Sequence, residues 1–403
     1  MARVIGVCVA LLLCVALGVG VFAQSSGGSS FQGTITTLRS SNGALVATLV
    51  DHLDVVNIGG VPTISRVWND SYIGPTLRLQ PGDLLSLTLV NNLNVTTNIH
   101  FHGLQVSPIA PSDNSLLTLQ PQTVLQYQVR IPSSHPPGLY WYHSHAHGNA
   151  ESQVIGGMVG AIIIEGILAP FPQLSGIAED LFVLNNYIAD PASVPISGMR
   201  LVNGVSQSTL TVNAGETRFW RFCNLAADLY YNLTFPSELS VSTIAIDGQL
   251  QNQATRVSTY LLGPSSRVEL LVTTPTTATT LQLSTAHVDT GPTGDDYPGG
   301  LLTTVVVSSS GASVLNVDPN TLVFPTLLDY RTVPTIRTRT LNFNDDMVQG
   351  VFLINNKVFD PNRVDITVTL GDIEQWIIEN SSSEVHVRCA CRPISKLKRR
   401  QLY

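Results

Sequence analysis

The sequence predicts an all-β protein built from tandem Greek-key sandwich or barrel domains, two complete and a third incomplete. Three observations predict it. Of the 403 residues only 12% are charged and 54 are Gly or Pro, the composition of strands and turns rather than of long helices. Apolar residues alternate with a period of two in short runs. One pattern of strand, Gly-acid turn, strand, Asn-containing loop and strand recurs three times along the chain.

The first copy reads GPTLRLQPGDLLSLTLVNNLNVTTNIHFHG over residues 74–103, where a turn at Pro81-Gly82-Asp83 predicts a hairpin and Leu85, Leu87 and Leu89 fall on one face of the strand after it. The second is STLTVNAGETRFWRFCNLAADLYYNLTF over 208–235, and the third VDITVTLGDIEQWIIENSSSEVHV over 364–387. Copies about 130 to 150 residues apart imply similar β domains. We place domain one at 31–166, domain two at 178–309 and a partial domain three at 310–387, with an atypical basic tail at 388–403.

Before the first domain lies Met1-Ala-Arg3 and an almost wholly apolar run from Val4 to Phe22, followed by a polar Ser- and Gly-rich stretch. Val21 and Ala23 fit a small-x-small cleavage pattern, so residues 1–23 are expected to be a secretory signal peptide, an uncleaved anchor being the alternative. After cleavage no stable membrane insertion is expected, and the protein is placed outside the cell. N-glycosylation acceptor tripeptides begin at Asn69, Asn94, Asn232 and Asn380. The mature chain then keeps Cys223, Cys389 and Cys391, which make no disulfide framework.

The net charge of −7 conceals an asymmetry. Residues 24–387 carry 14 basic and 28 acidic side chains, whereas the last 16 residues hold six basic groups and no acid. An acidic body repels phosphate backbones, which argues against nucleic-acid binding.

Six of the nine histidines lie between residues 100 and 147. On a strand, i and i+2 share a face, so His100 with His102, and His143 with His145 and His147, project imidazoles together. Neutral imidazole suits copper, zinc, iron and nickel, making this a transition-metal site candidate; ordinary hydrogen-bonded histidines are the alternative. His135, before Pro136-Pro137, reads as structural or exposed, and the isolated His52 and His287 likewise. Met158, in a glycine-rich strand, reads as core.

With Asn98-Ile-His-Phe-His-Gly-Leu104, Gly138-Leu-Tyr-Trp-Tyr-His-Ser-His145 and Gly156-Gly-Met-Val-Gly-Ala161, the chain resembles the multicopper oxidases, the cupredoxin-fold family of laccases and bilirubin oxidases. Weaker echoes are Ala245-Ile-Asp-Gly248 and Ile354-Asn-Asn-Lys-Val-Phe-Asp-Pro361 leading into Glu384-Val-His386. The resemblance implies copper as cofactor, a small-molecule reductant and dioxygen as partners, and one-electron oxidation of phenolic, bilirubin-like or metal-ion donors coupled to reduction of dioxygen to water. It further implies that His100 binds the type 2 copper, that His102, His143 and His145 bind the type 3 pair, and that His386 binds the type 1 copper.

In the family's third unit, His-x-x-His-x-His, this chain has His386-Val-Arg-Cys-Ala-Cys391, and the fourth unit, His-Cys-His, does not occur. Half the cluster ligands and the type 1 Cys are thus lacking, so the chain as written is expected to be inactive, a secreted copper-binding protein without turnover being the alternative function. The tail after Val387 is expected to come from a shifted frame, retained intron or mispredicted gene end. A soft-metal site on His386, Cys389 and Cys391, or a cationic anchor at Lys396-Leu-Lys-Arg-Arg400, is its other reading. Asp113, eleven residues after His102, matches the family's proton-relaying acid near the type 2 copper, although turn chemistry explains Ser-Asp-Asn equally well.

Overall fold

A computed structural model of the chain describes residues 30–33, 35–187, 198–309, 314–346, 348–369 and 371–386. The expectations for the signal segment 1–23, for Cys389 and Cys391, and for the tail 388–403 lie outside the described residues.

The architecture is all-β. In the first sandwich, a four-stranded sheet orders its strands Val61–Trp68, Ala44–Ile58, Leu84–Asn91 and Thr123–Arg130. A five-stranded sheet orders Thr37–Arg39, Thr76–Leu79, Val159–Ile164, Gly138–His143 and His100–His102. Leu85, Leu87 and Leu89 of one sheet meet Phe101, Tyr140, Tyr142 and Ile162 of the other in a single core cluster. The alternation in Leu84–Asn91 is regular, every second residue being buried. The second sandwich packs two six-stranded sheets over Phe182, Trp220, Phe222, Leu270 and Val305. Its outermost strand is Ser30–Phe31, which pairs with Leu210 and Thr211 and so ties the beginning of the described chain onto the second unit.

The expected hairpin at residues 75–91 is not one. Thr76–Leu79 and Leu84–Asn91 belong to different sheets, and the turn between them carries the chain across the core. The Asp83 carboxylate accepts the Gln80 N–H at 2.7 Å, closing the bend at the residues where a hairpin ladder would start, and Gly82 takes the φ of +96° it needs. The second copy repeats the device. Ser208–Asn213 and Thr217–Asn224 also lie in opposite sheets, and Glu216 accepts the Asn213 N–H at 3.1 Å. A Gly-acid turn capped by its own carboxylate therefore marks a sheet switch in this protein.

The third copy is less regular. Glu374–Asn380 pairs in parallel with Arg337–Asp346, which also pairs with Val351–Ile354, but the described residues of 364–369 form no strand. This three-stranded sheet leaves Phe352, Val358, Phe359 and Val364 exposed, since no second sheet faces it among the described residues. Among the described residues, no helix is long and apolar enough to cross a membrane.

Candidate metal centre

The strands His100–His102 and Gly138–His143 run antiparallel at the edge of the five-stranded sheet, with His100 opposite His143, Phe101 opposite Tyr142 and His102 opposite Trp141. Directly opposed residues share a face, so Phe101 and Tyr142 turn into the core while the histidines and Trp141 turn the other way. The ligand nitrogens of His100, His102 and His143 all lie within 4.8 Å of one another. His145 leaves the strand end beside them, its ring 5.3 Å from that of His100 and 5.8 Å from that of His143. The structure thus brings together the four histidines of the two His-x-His pairs, three of them closely.

Each ring is held from behind. His143 Nδ1 lies 2.7 Å from the Ser144 carbonyl, a bond that requires the proton on Nδ1, and its Nε2 is buried with no hydrogen-bond partner. Trp141 stacks on the same ring at 4.0 Å and 19° and flanks His102 at 5.0 Å. The His145 backbone N–H donates to Asn98 Oδ1 at 2.7 Å, and Asn98 is itself anchored to the Ser115 and Leu117 carbonyls. His145 Nδ1, too, is buried without a partner. His100 Nδ1 meets Asp113 Oδ1 at 2.9 Å, and the same oxygen accepts the Phe101 N–H at 2.9 Å, so Asp113 orients the His100 ring directly.

A shelf lies beneath the His143-Ser-His145 segment. Ser144 Oγ bonds Gln153 Oε1, which also accepts from Thr97 Oγ1, while Gln153 Nε2 donates to the Thr96 carbonyl. Gln153 comes from the short helix Ala150–Ile155, and the chain returns through Gly156-Gly157 to Met158, which is fully buried in the core. A Cβ on Gly160 would fall 2.4 Å from the Tyr142 ring, so the returning strand can lie against the histidine strand only without a side chain there.

Burial, reinforced by Arg267 and the neighbouring imidazoles, holds His102 well below the ordinary histidine pKa. Burial does the same for His143, and burial followed by His100 lowers His145. His102, His143 and His145 are therefore neutral imidazoles at neutral pH, a borderline-soft donor set with buried, unsatisfied nitrogens on His143 and His145. Those are the properties a transition-metal ion satisfies and a hydrogen-bonded structural cluster does not.

The other expected positions are placed apart. His147 is exposed and stacks on Phe359 at 4.9 Å and 2°, its ring 5.5 Å from His145. His386 stands among Phe343 and Phe352 and lines an apolar cavity of about 610 Å³; it joins no converging set of ligand atoms among the described residues. His135 is structural: Nδ1 bonds the Pro136 carbonyl at 2.9 Å and Nε2 accepts the Gln105 N–H at 2.9 Å. His52 Nε2 pairs with Asp70 Oδ1 at 2.7 Å and His287 with Asp296. Asn69 uses its amide to clamp the Val50 N–H and Thr48 carbonyl. Sequence reading missed Asn98, Gln153 and Trp141 as supports and Arg267 as a neighbour. Of these only Asn98 and Trp141 stand inside the quoted motifs.

The family model described as multicopper oxidase matches residues 51–167. Among curated relatives, the multicopper oxidase mco of Staphylococcus haemolyticus is 27% identical over 327 residues, covering 78% of this chain and 65% of that protein. Cell division protein FtsP of Histophilus somni is 27% identical over 340 residues, covering 79% and 70%. The chain thus spans about 65% of the length of the mco protein it matches. Among solved structures, a multicopper oxidase from Campylobacter jejuni superposes with a TM-score of 0.71 at 22% identity, over 87% of this chain and 78% of that one. The laccase-like multi-copper oxidase CueO from Ochrobactrum sp. gives 0.72 at 21% identity, over 86% and 82%.

Proposed function

Because the chain belongs to the multicopper oxidase family, whose cofactor is copper, we propose that its histidine cluster is a copper centre held by His100, His102, His143 and His145. The observation that carries this is the pair of buried, unpartnered nitrogens, His143 Nε2 and His145 Nδ1, in a group of converging imidazoles. Bound copper supplies one-electron redox chemistry. The chain's own part is to present the rings: Ser144 sets the His143 tautomer, Asn98 fixes the His145 backbone, and Trp141 shields the His102 and His143 rings. Asp113 orients His100 and is the acid placed to hold or pass a proton there.

The family reaction, oxidation of phenolic, bilirubin-like or metal-ion donors with reduction of dioxygen to water, needs four further cluster histidines and a Cys-bearing electron-entry site. No His-Cys-His unit occurs in the 403 residues, so these residues alone give electrons no route in. We read the chain by itself as a secreted copper-binding cupredoxin protein without turnover, its residues 31–166 and 178–309 forming two cupredoxin domains and 310–387 part of a third. That several relatives are named for cell division rather than oxidation favours a non-catalytic role in this lineage of sequences. The test is copper content and visible spectroscopy of the purified chain. Copper retained by the wild type and lost in His102→Ala/His143→Ala, with no blue band and no phenol oxidation, is the expected result. A blue band, or copper uptake indifferent to both substitutions, refutes the reading.

A further inference from the structure

Arg267 begins the strand Arg267–Thr273 of the second sandwich, yet its side chain ends against the first. It is only 4% exposed. Its Nε donates to the Leu139 carbonyl at 3.2 Å, and its Nη1 donates to the Ser265 carbonyl at 2.7 Å and lies 3.1 Å from Asp247 Oδ1. Its Nη2 would stand 2.9 Å from a Cβ on Gly103, and the guanidinium lies 5.9 Å from the centre of the Tyr140 ring. Gly103 follows His102, has a φ of +86° and continues the strand that pairs with Gly138–His143. The cation is therefore wedged against the end of the two-strand pair that carries His100, His102 and His143. A bulkier residue at position 103 would push it away.

A strut between two carbonyls does not need a charge, and a buried guanidinium is costly to desolvate. Asp247, its carboxylate contact, has a side chain that is half exposed and so compensates the charge incompletely. The second unit nonetheless delivers this cation to the end of the histidine strand pair: Gly138 and Gly248 approach so closely that a Cβ on Gly138 would lie 2.7 Å from Gly248 Cα. The charge lies close to the site as well, since Arg267 Nη2 stands against Gly103, the residue next to His102.

We propose that Arg267 is a positioning residue of the metal centre that holds the Gly103–Leu139 end of the histidine strands and, through its charge, biases the site toward Cu(I) over Cu(II). This rests on the reading that the histidine cluster binds copper. A unit charge acting on the site across one or two residues, in a medium of protein-like dielectric, changes the Cu(I) to Cu(II) affinity ratio by about 5- to 30-fold.

The test titrates metal-free protein with Cu(I), anaerobically and against a chromophoric chelator, and with Cu(II) against a second chelator. Arg267→Met is expected to lower the affinity ratio by about 5- to 30-fold, while Arg267→Lys, which keeps the charge and loses the fork, stays within about threefold of wild type. Asp247→Asn removes the half-exposed counter-charge from a surface turn, where Asn tolerates the φ of +51°, and is expected to raise the ratio several-fold. An unchanged ratio in Arg267→Met, or in Asp247→Asn if the first variant does not fold, overturns the proposal. Wild-type protein that takes up neither ion overturns the copper-centre reading instead.

Discussion

Asp51 offers a sharp test of how the first sandwich is built. Its carboxyl is completely buried in the middle of the inner strand Ala44–Ile58, and neither oxygen has a well-aligned hydrogen bond. Trp68 and Thr97 face it and offset part of the cost, but burial dominates and pushes its pKa from 3.8 up to about 8. A carboxyl that is harder to ionise when folded favours the native state below its unfolded pKa. That stability is lost as the pH rises toward the folded value. Each unit across this window is worth about 1.36 kcal/mol, so wild-type protein should lose about 4 kcal/mol from this group between pH 5 and pH 9. Asp51→Asn cannot ionise and escapes the loss. Urea unfolding of both proteins at pH 5, 7 and 9 measures the difference directly. The variant should gain on wild type by several kcal/mol across the series, even if its amide costs about 1–2 kcal/mol at every pH for an unmet donor. Parallel stability profiles would show that Asp51 is ionised in the folded protein and refute the reasoning. The consequence reaches the metal centre, because Thr97 is also a leg of the shelf under Ser144.

Two further outcomes follow from the same geometry. Asp113→Ala removes the group that orients His100, and copper affinity measured by competition titration should fall about 10- to 100-fold while the far-ultraviolet circular dichroism stays unchanged; equal affinity would reduce Asp113 to a turn residue. Glu179 lies 2.7 Å from Arg78 of the first sandwich and 3.1 Å from Arg221 of the second, but Arg78 keeps Glu165 and Arg221 keeps Glu269, so Glu179→Gln should cost only about 1–2 kcal/mol in urea unfolding; a change within about 0.5 kcal/mol would mean the bridge carries no net stability.

The parts of the fold legible in the sequence were those written in local periodicity. The i, i+2 spacing of His100 with His102 states which face they share, and the pairing of their strand with Gly138–His143 delivers His143 to the same face. What periodicity does not carry is which sheet a strand joins. Thr76–Leu79 and Leu84–Asn91 look like a hairpin because Pro81-Gly82-Asp83 makes a tight turn, and a tight turn is common to hairpins and to sheet switches. The difference lies in long-range pairing: Ile162–Ile164 adds in parallel to Leu77–Leu79, and Ala44–Asp51 adds in parallel to Leu84–Asn91. Those partners are distant in the chain, or precede the turn, and no local residue announces them.

The same distinction sorts the site. Ligand candidates are visible because metal chemistry demands particular side chains at short spacing, whereas the groups that orient and polarise them come from wherever the fold brings a suitable atom. Asp113 reaches His100 from thirteen residues away, and its Ser-Asp-Asn context fits a turn as well as a positioning carboxylate. Arg267 contacts Leu139 across 128 residues and a sandwich boundary, and in the sequence it is one more arginine on an apolar strand. Its environment gives it a role: the glycines at 103, 138 and 248 let two backbones approach until a guanidinium fits between them. Three glycines that look like ordinary turn residues thus make the cleft through which Arg267 of the second sandwich reaches the strands that carry the proposed metal ligands, all of them first-sandwich histidines.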